Sequence, residues 1–160
     1  VKAAIVGLVG SLLMFLVMFY LINYTELAPF NITPSAAFLE RLTIEAGPLP
    51  LIVHFGYGLF WSVILVALFK NRANIAKGLG LAGILWLIMM VIYSPIIGWG
   101  FFGFQGTPGL PEDAPLYLEP GPRYAVAALI LHIVYGLVIG GLNPLWIRDD
   151  AWEAKDVHAQ

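Results

Sequence analysis

The chain has no cysteine among its 160 residues, and only 11% of them are charged. Without cysteine there can be no disulfide, zinc ribbon, thiolate nucleophile or cysteine-ligated iron–sulfur cluster. The eight basic residues are scattered and balanced by ten acidic ones, for a net charge of −2. That leaves no electrostatic footprint for nucleic acid. Also missing are G-x-S-x-G, a phosphate-binding loop, H-E-x-x-H and any pair of carboxylates within an apolar stretch. The common hydrolytic and nucleotide-dependent chemistries go with them, and a non-catalytic chain is expected.

What fills the sequence is apolar: 60% of it is hydrophobic, against ~45–50% in soluble globular domains. A small domain leaves much of its surface in contact with solvent and could not hide so much. The composition therefore reads as an integral membrane protein. Four stretches reach the ~20 apolar residues that a helix needs to cross the hydrocarbon core. They run over about 3–23, 49–69, 78–97 and 124–147. Backbone polar groups in lipid must bond within their own segment, so each reads as a helix. The first run is long and lacks a small-residue cleavage pattern, so a retained helix is expected. The expected fold is all-α: a four-helix transmembrane bundle (1–147) followed by a polar tail (148–160).

Orientation follows from lysine and arginine. Lys2, Lys70, Arg72, Lys77, Arg148 and Lys155 fall on one side, and only Arg41 and Arg123 on the other. Both termini are expected in the cytoplasm, in the cell (inner) membrane, with the two long loops outside and acidic (Glu26, Glu40, Glu45, Glu112, Asp113 and Glu119). Segment 33–46 reads as a short interfacial helix with Thr33 as N-cap, Pro34 in the first turn, and an apolar face of Phe38, Leu39 and Leu42. Loop 98–122, rich in glycine, proline and aromatics, should lack long regular structure, and a loop of that length is usually functional. Its Phe101, Phe102, Phe104 and Tyr117 suit an interface, while Trp99 and Trp146 suit aromatic belts. Pro95 and Asn143-Pro144 should kink or end their helices.

Self-comparison suggests an internal repeat. His54-Phe55-Gly56-Tyr57-Gly58-Leu59 and His132-Ile133-Val134-Tyr135-Gly136-Leu137 both read H-x-x-Y-G-L, with Lys70 and Arg148 each 16 residues beyond the histidine. Gly7-Leu8-Val9-Gly10 matches Gly80-Leu81-Ala82-Gly83 more weakly. Two tandem helical hairpins would be parallel repeats about a pseudo-twofold along the membrane normal.

His54 and His132 are the titratable groups of these spans, tyrosines aside, and an intramembrane ionisable residue points to function by default. Sixteen residues at 1.5 Å put each ~24 Å from the cytoplasmic boundary, in the outer third. Gly58 and Ser62 follow His54 at four-residue spacing, and Ala128, Gly136 and Gly140 flank His132 in the same way. Small residues in that phase bring helices together, so the histidines should face a helix or a bound group. Three readings fit. Each imidazole bonds a carbonyl or a hydroxyl such as that of Tyr57, Tyr135 or Ser62. Alternatively, the pair ligates a b-type haem, or a histidine bonds a quinone. Two nitrogens without a carboxylate or sulfur make a poor divalent-metal site, and His158, in the tail, carries no signal.

The repeated H-x-x-Y-G-L, the G-L-x-G opening the third helix, and Tyr93-Ser94-Pro95-Ile96-Ile97-Gly98-Trp99-Gly100-Phe101-Phe102-Gly103 at its end carry a resemblance. From about Gly7 to Leu142 the chain resembles an uncharacterised family of small four-helix bacterial and archaeal membrane proteins, known as a domain of unknown function. The resemblance implies a multi-pass fold and brings no activity; loop 98–122, with Pro111-Glu112-Asp113-Ala114-Pro115, is longer than the family pattern. The expected function is an accessory membrane subunit packed against other integral membrane subunits and lipid, in a respiratory or other redox assembly. A haem- or quinone-binding electron-transfer protein and a small homodimeric transporter are the alternatives.

Overall fold

The computed structural model describes residues 1–25, 27–44 and 47–157, with 147–157 as backbone alone. His158, Glu26, Glu45 and Ala46 lie outside the described residues. The described chain is helical, with no strand. Helix α1 (Lys2–Tyr24), α2 (Pro34–Arg41), α3 (Leu49–Phe69), α4 (Ile75–Ile88), a π-helical turn (Met89–Tyr93), α5 (Ser94–Ile96) and α6 (Arg123–Val157) follow in order. Four spans are long and apolar enough to cross a membrane: Lys2–Tyr24, Leu49–Arg72, Ile75–Ile96 and Arg123–Trp146. That is the character of a multi-pass membrane protein.

Local chemistry sets the boundaries. The Ala36 amide donates to Thr33 Oγ1 at 3.3 Å, and Pro34 follows the cap, which starts α2. This helix stops at Arg41, short of the expected length, and Leu42 is exposed beyond its end. Lys70 ends α3 by taking φ +46°. The Lys77 amide donates to Asn74 Oδ1 at 3.0 Å and starts α4. Pro95 has no N–H to offer Val91 four residues back. The helix widens just before it: the Ser94 amide bonds Met89, five residues back, and Ser94 Oγ donates to the same carbonyl at 2.8 Å. Pro144 does not end α6, which runs through it to Val157 and carries the tail on as helix. Asn143 Nδ2 bonds Ile139 O at 2.9 Å there.

Helix α1 packs along α3 and α6, and α4 packs along α6, whereas α3 and α4 barely touch. Half of the apolar window of α6 is buried, but only 17% of that of α3. Helix α6 is therefore the central helix, and α3 presents most of its surface outward. The end that carries α2 and loop 98–122 has a folded cap. Trp99 and Leu118 are fully buried there, and the Trp99 ring stacks on Phe30 and meets Tyr124 edge-on. Trp99 Nε1 donates to Leu116 O at 3.0 Å, the Glu119 amide donates to Pro29 O at 3.0 Å, and Asn31 Nδ2 reaches Glu112 O and Ala114 O. Trp99 is thus a core residue and not the belt residue expected, because both loops fold over it. Loop 98–122 lacks long regular structure yet is held by these bonds. Phe101 and Phe104 do point outward, while Phe102 packs edge-on against Trp86.

Candidate functional site

Two seams of small residues bring the helices close enough to build a site. A Cβ on Gly7 would lie 2.6 Å from Gly58 O and 2.8 Å from Ser62 Cβ, so α1 and α3 meet backbone to backbone. A Cβ on Gly78 would collide with Gly136 O, and one on Gly140 would lie 2.8 Å from Asn74 O, which makes the same seam between α4 and α6. Close approach of this kind depends on glycine and serine in lipid. Gly58, Ser62, Gly136 and Gly140 all lie on the seams, and Ala128 lies instead on the wall of a cavity.

The seams also set the correspondence between the two halves. Gly78 and Ala82 hold the positions that Gly7 and Ser11 hold, whereas Gly80 and Gly83 face open space. The alignment of Gly7 with Gly80 is therefore off by two residues. Two residues turn a helix by roughly 200°, so the matching pair of glycines lies on the wrong face.

Where α3 and α4 diverge, a cavity of about 200 Å³ remains between α1, α3, the π-helical turn and α6. His54 and His132 both line it, and both also line a smaller cavity of about 40 Å³ beside it, towards Tyr135. The structure thus brings together the two histidines of the repeated motif. Their hydrogen bonds differ. His54 Nε2 bonds Ser11 O in α1 at 3.0 Å. His132 Nδ1 bonds Ala128 O in its own helix at 2.8 Å. Both partners are backbone carbonyls, one of the two kinds expected from the sequence, and the hydroxyls are used elsewhere: Tyr135 OH donates to Gly58 O, Ser62 Oγ donates to Ala3 O, and Tyr57 stacks edge-on against Trp61. A helix offers a carbonyl to a side chain four residues on, as Ala128 does to His132, and close packing brings a neighbour's carbonyl within reach, as Ser11 O is of His54.

The rest of the wall is apolar or aromatic, with Met14, Met18 and Met89 beside Phe30, Tyr93 and Tyr124. Tyr93 donates its hydroxyl to Pro34 O and stacks on Phe38, which fastens α2 over the capped end of the cavity. Tyr124 is fully buried and shares a 2.9 Å bond with Ser94 Oγ. Val53, Tyr57 and Ile88 line the cavity and yet leave 41–45% of their surface exposed, so it opens sideways between α3 and α4. No charged residue lines it among the described residues. Among the described residues, no three His, Cys, Asp or Glu lie close enough to hold a metal ion.

Sequence reasoning missed Asn143, which is buried and bonds Ser62 Oγ at 3.0 Å, and the Tyr124–Ser94 pair. A polar residue inside an apolar helix was the available signal for each. Comparison with protein-family models, curated proteins and solved structures finds no match.

Proposed function

We propose that this protein is a non-catalytic integral membrane subunit that holds a lipid-soluble ring compound of the quinone class for a larger redox assembly. The observation that carries the reading is the cavity shared by His54 and His132, apolar in its walls and open sideways between α3 and α4. Ligand sites have this character, with mostly apolar linings and a few placed polar groups. A cavity of ~150 Å³ holds a benzene-sized ring, so about 200 Å³ suits one substituted ring with its tail left in lipid. Haem is the weaker reading. A porphyrin has four pyrrole rings to place, and His54 has already committed Nε2 to a carbonyl.

In the same reading the two H-x-x-Y-G-L segments descend from a duplicated hairpin, supported by the equivalent glycine seams. Helix α2 lies near the interface and covers the cavity, and the termini are cytoplasmic, as the basic residues suggest. The resemblance to the uncharacterised four-helix family belongs here too, as a reading of its motifs.

The test is extraction of the chain in native lipid, with quantification of retained quinones and identification of co-migrating subunits. Ala128→Leu, which fills the cavity, should lose the quinone and keep the fold. A wild-type preparation without quinone that also binds no added short-chain quinone or quinol overturns the reading.

A further inference from the structure

The hydrogen bonds around the cavity specify which half of a redox pair it takes. We infer that the site selects an uncharged ring compound that donates a hydrogen bond, and so a quinol over a quinone. The inference rests on the quinone-class reading of the cavity and follows from where each hydrogen is already used.

A carbonyl oxygen only accepts, so His54 Nε2 and His132 Nδ1 must carry their ring hydrogens. No aspartate or glutamate occurs in the four spans to pair with a charged imidazole. A neutral ring has one N–H and one lone pair, which leaves His54 Nδ1 and His132 Nε2 as acceptors. His132 is 96% buried, and its bond to Ala128 is its sole hydrogen bond among the described residues. No sealed side-chain nitrogen or oxygen lacks a partner among those residues, so the Nε2 lone pair opens onto cavity space.

The inner hydroxyls have spent their hydrogens. Tyr93 gives its own to Pro34 O. Ser94 gives its own to Met89 O, so the Ser94–Tyr124 bond uses the hydrogen of Tyr124. Ser35, and Tyr57 beside the histidines in both cavities, keep hydroxyls that can turn either way. The lining groups whose hydrogens are already committed therefore accept and do not donate. A quinone head has acceptors alone and would leave both histidine lone pairs without a donor. A quinol has two hydroxyls to offer them. A phosphate headgroup is refused for the same reason and for want of any cation.

The experiment uses the full chain in lipid nanodiscs, with 4-nonylphenol and its methyl ether as probes matched in ring and tail. Titration calorimetry, corrected with empty nanodiscs, reads both affinities. The phenol should bind at least about tenfold more tightly, the size of one well-made hydrogen bond. Nitrogen-15 histidine spectra of the wild-type protein should show the unprotonated ring nitrogens shifting with the phenol and not with the ether. His54→Leu/His132→Leu, checked for a retained cooperative melting transition, should remove most of the preference. A parallel pair, decyl-benzoquinol and decyl-benzoquinone under anaerobic conditions, should favour the quinol. Equal binding of phenol and ether, or no histidine shift, overturns the donor rule and leaves the cavity as a ring site. Tighter binding of the quinone overturns the assignment to the reduced form. If none of the four probes binds, the quinone-class reading itself falls.

Discussion

Tyr135 in α6 donates its hydroxyl across the bundle to the carbonyl of Gly58 in α3, and Tyr57, its counterpart in the repeated motif, makes no return bond among the described residues. Tyr57 stands 45% exposed against Trp61, while Tyr135 is buried. The two halves share a motif but not a role, because α1 lies between α3 and α6 on one side and the lateral opening takes the other. Tyr135→Phe should therefore cost about 1 kcal/mol, the net worth of one hydrogen bond. Tyr57→Phe should stay within ~0.5 kcal/mol, as exposed substitutions do. Denaturation in mixed micelles measures both, and equal losses would show that the asymmetry has no energetic content.

The glycine seams give a test with its own internal control. A side chain at Gly136 would lie 2.8 Å from Ala82 Cβ and 2.9 Å from Gly78 O, both rigidly placed. Gly136→Val should destabilise by about 1–3 kcal/mol, as overpacking does. Gly80→Val, which faces open space, should be tolerated. The reverse ranking would mean that α4 meets α6 on the Gly80 face, as the G-L-x-G alignment suggested.

That alignment shows where sequence reading stops. Four helices and their extents were legible, because a span in lipid needs an unbroken apolar run whatever it packs against. The seam residues on α3 and α6 were legible too, since His54, Gly58 and Ser62 keep one face at four-residue spacing. The face of α4 was not. Gly78, Gly80 and Gly83 all occur within one and a half turns, and their order alone does not reveal which of them meets a neighbour. The histidines were picked out by rarity and a carbonyl was among the partners expected, but which carbonyl each would bond carries no side-chain signature. The burial of Trp99 depends on how two loops far apart in sequence fold together, which no local pattern encodes.

The cap offers a stability test away from the cavity. Trp99 is fully buried between Phe30 and Tyr124 and bonds Leu116 O. Trp99→Ala should cost about 3–5 kcal/mol, as loss of a large buried aromatic does. Limited proteolysis should then cut within 104–115, where the wild type resists. Phe101→Ala and Phe104→Ala, exposed at the same end, should leave the digestion pattern unchanged.

Topology can be read from the same loop. If the excess of basic residues at the ends and in loop 70–77 marks the cytoplasmic side, residue 107 lies outside. Thr107→Cys, unique in a chain without cysteine, should react with an impermeant maleimide in intact cells. An Asn71→Cys variant should react only after lysis. The opposite pattern places the termini outside.

The histidines should rank against their burial. His132 is the more buried of the two, yet its bond to Ala128 O stays within one helix, on a carbonyl that the helix already satisfies. His54 is half-buried, but its bond to Ser11 O ties α3 to α1 at 3.0 Å. Replacing a histidine by leucine removes a polar group from an apolar wall, which favours the variant, and removes a bond, which opposes it. For His132 no interhelical link is lost, so His132→Leu should be neutral or slightly stabilising. For His54 a link is lost, so His54→Leu should cost about 1 kcal/mol, and His54→Gln, which keeps an N–H for Ser11 O, should recover part of it. Unfolding of the three variants in one detergent, without ligand, gives the ranking. A larger loss for His132→Leu than for His54→Leu would mean that the lone pair of His132 Nε2 is bonded within the resting protein and is not free for a ligand.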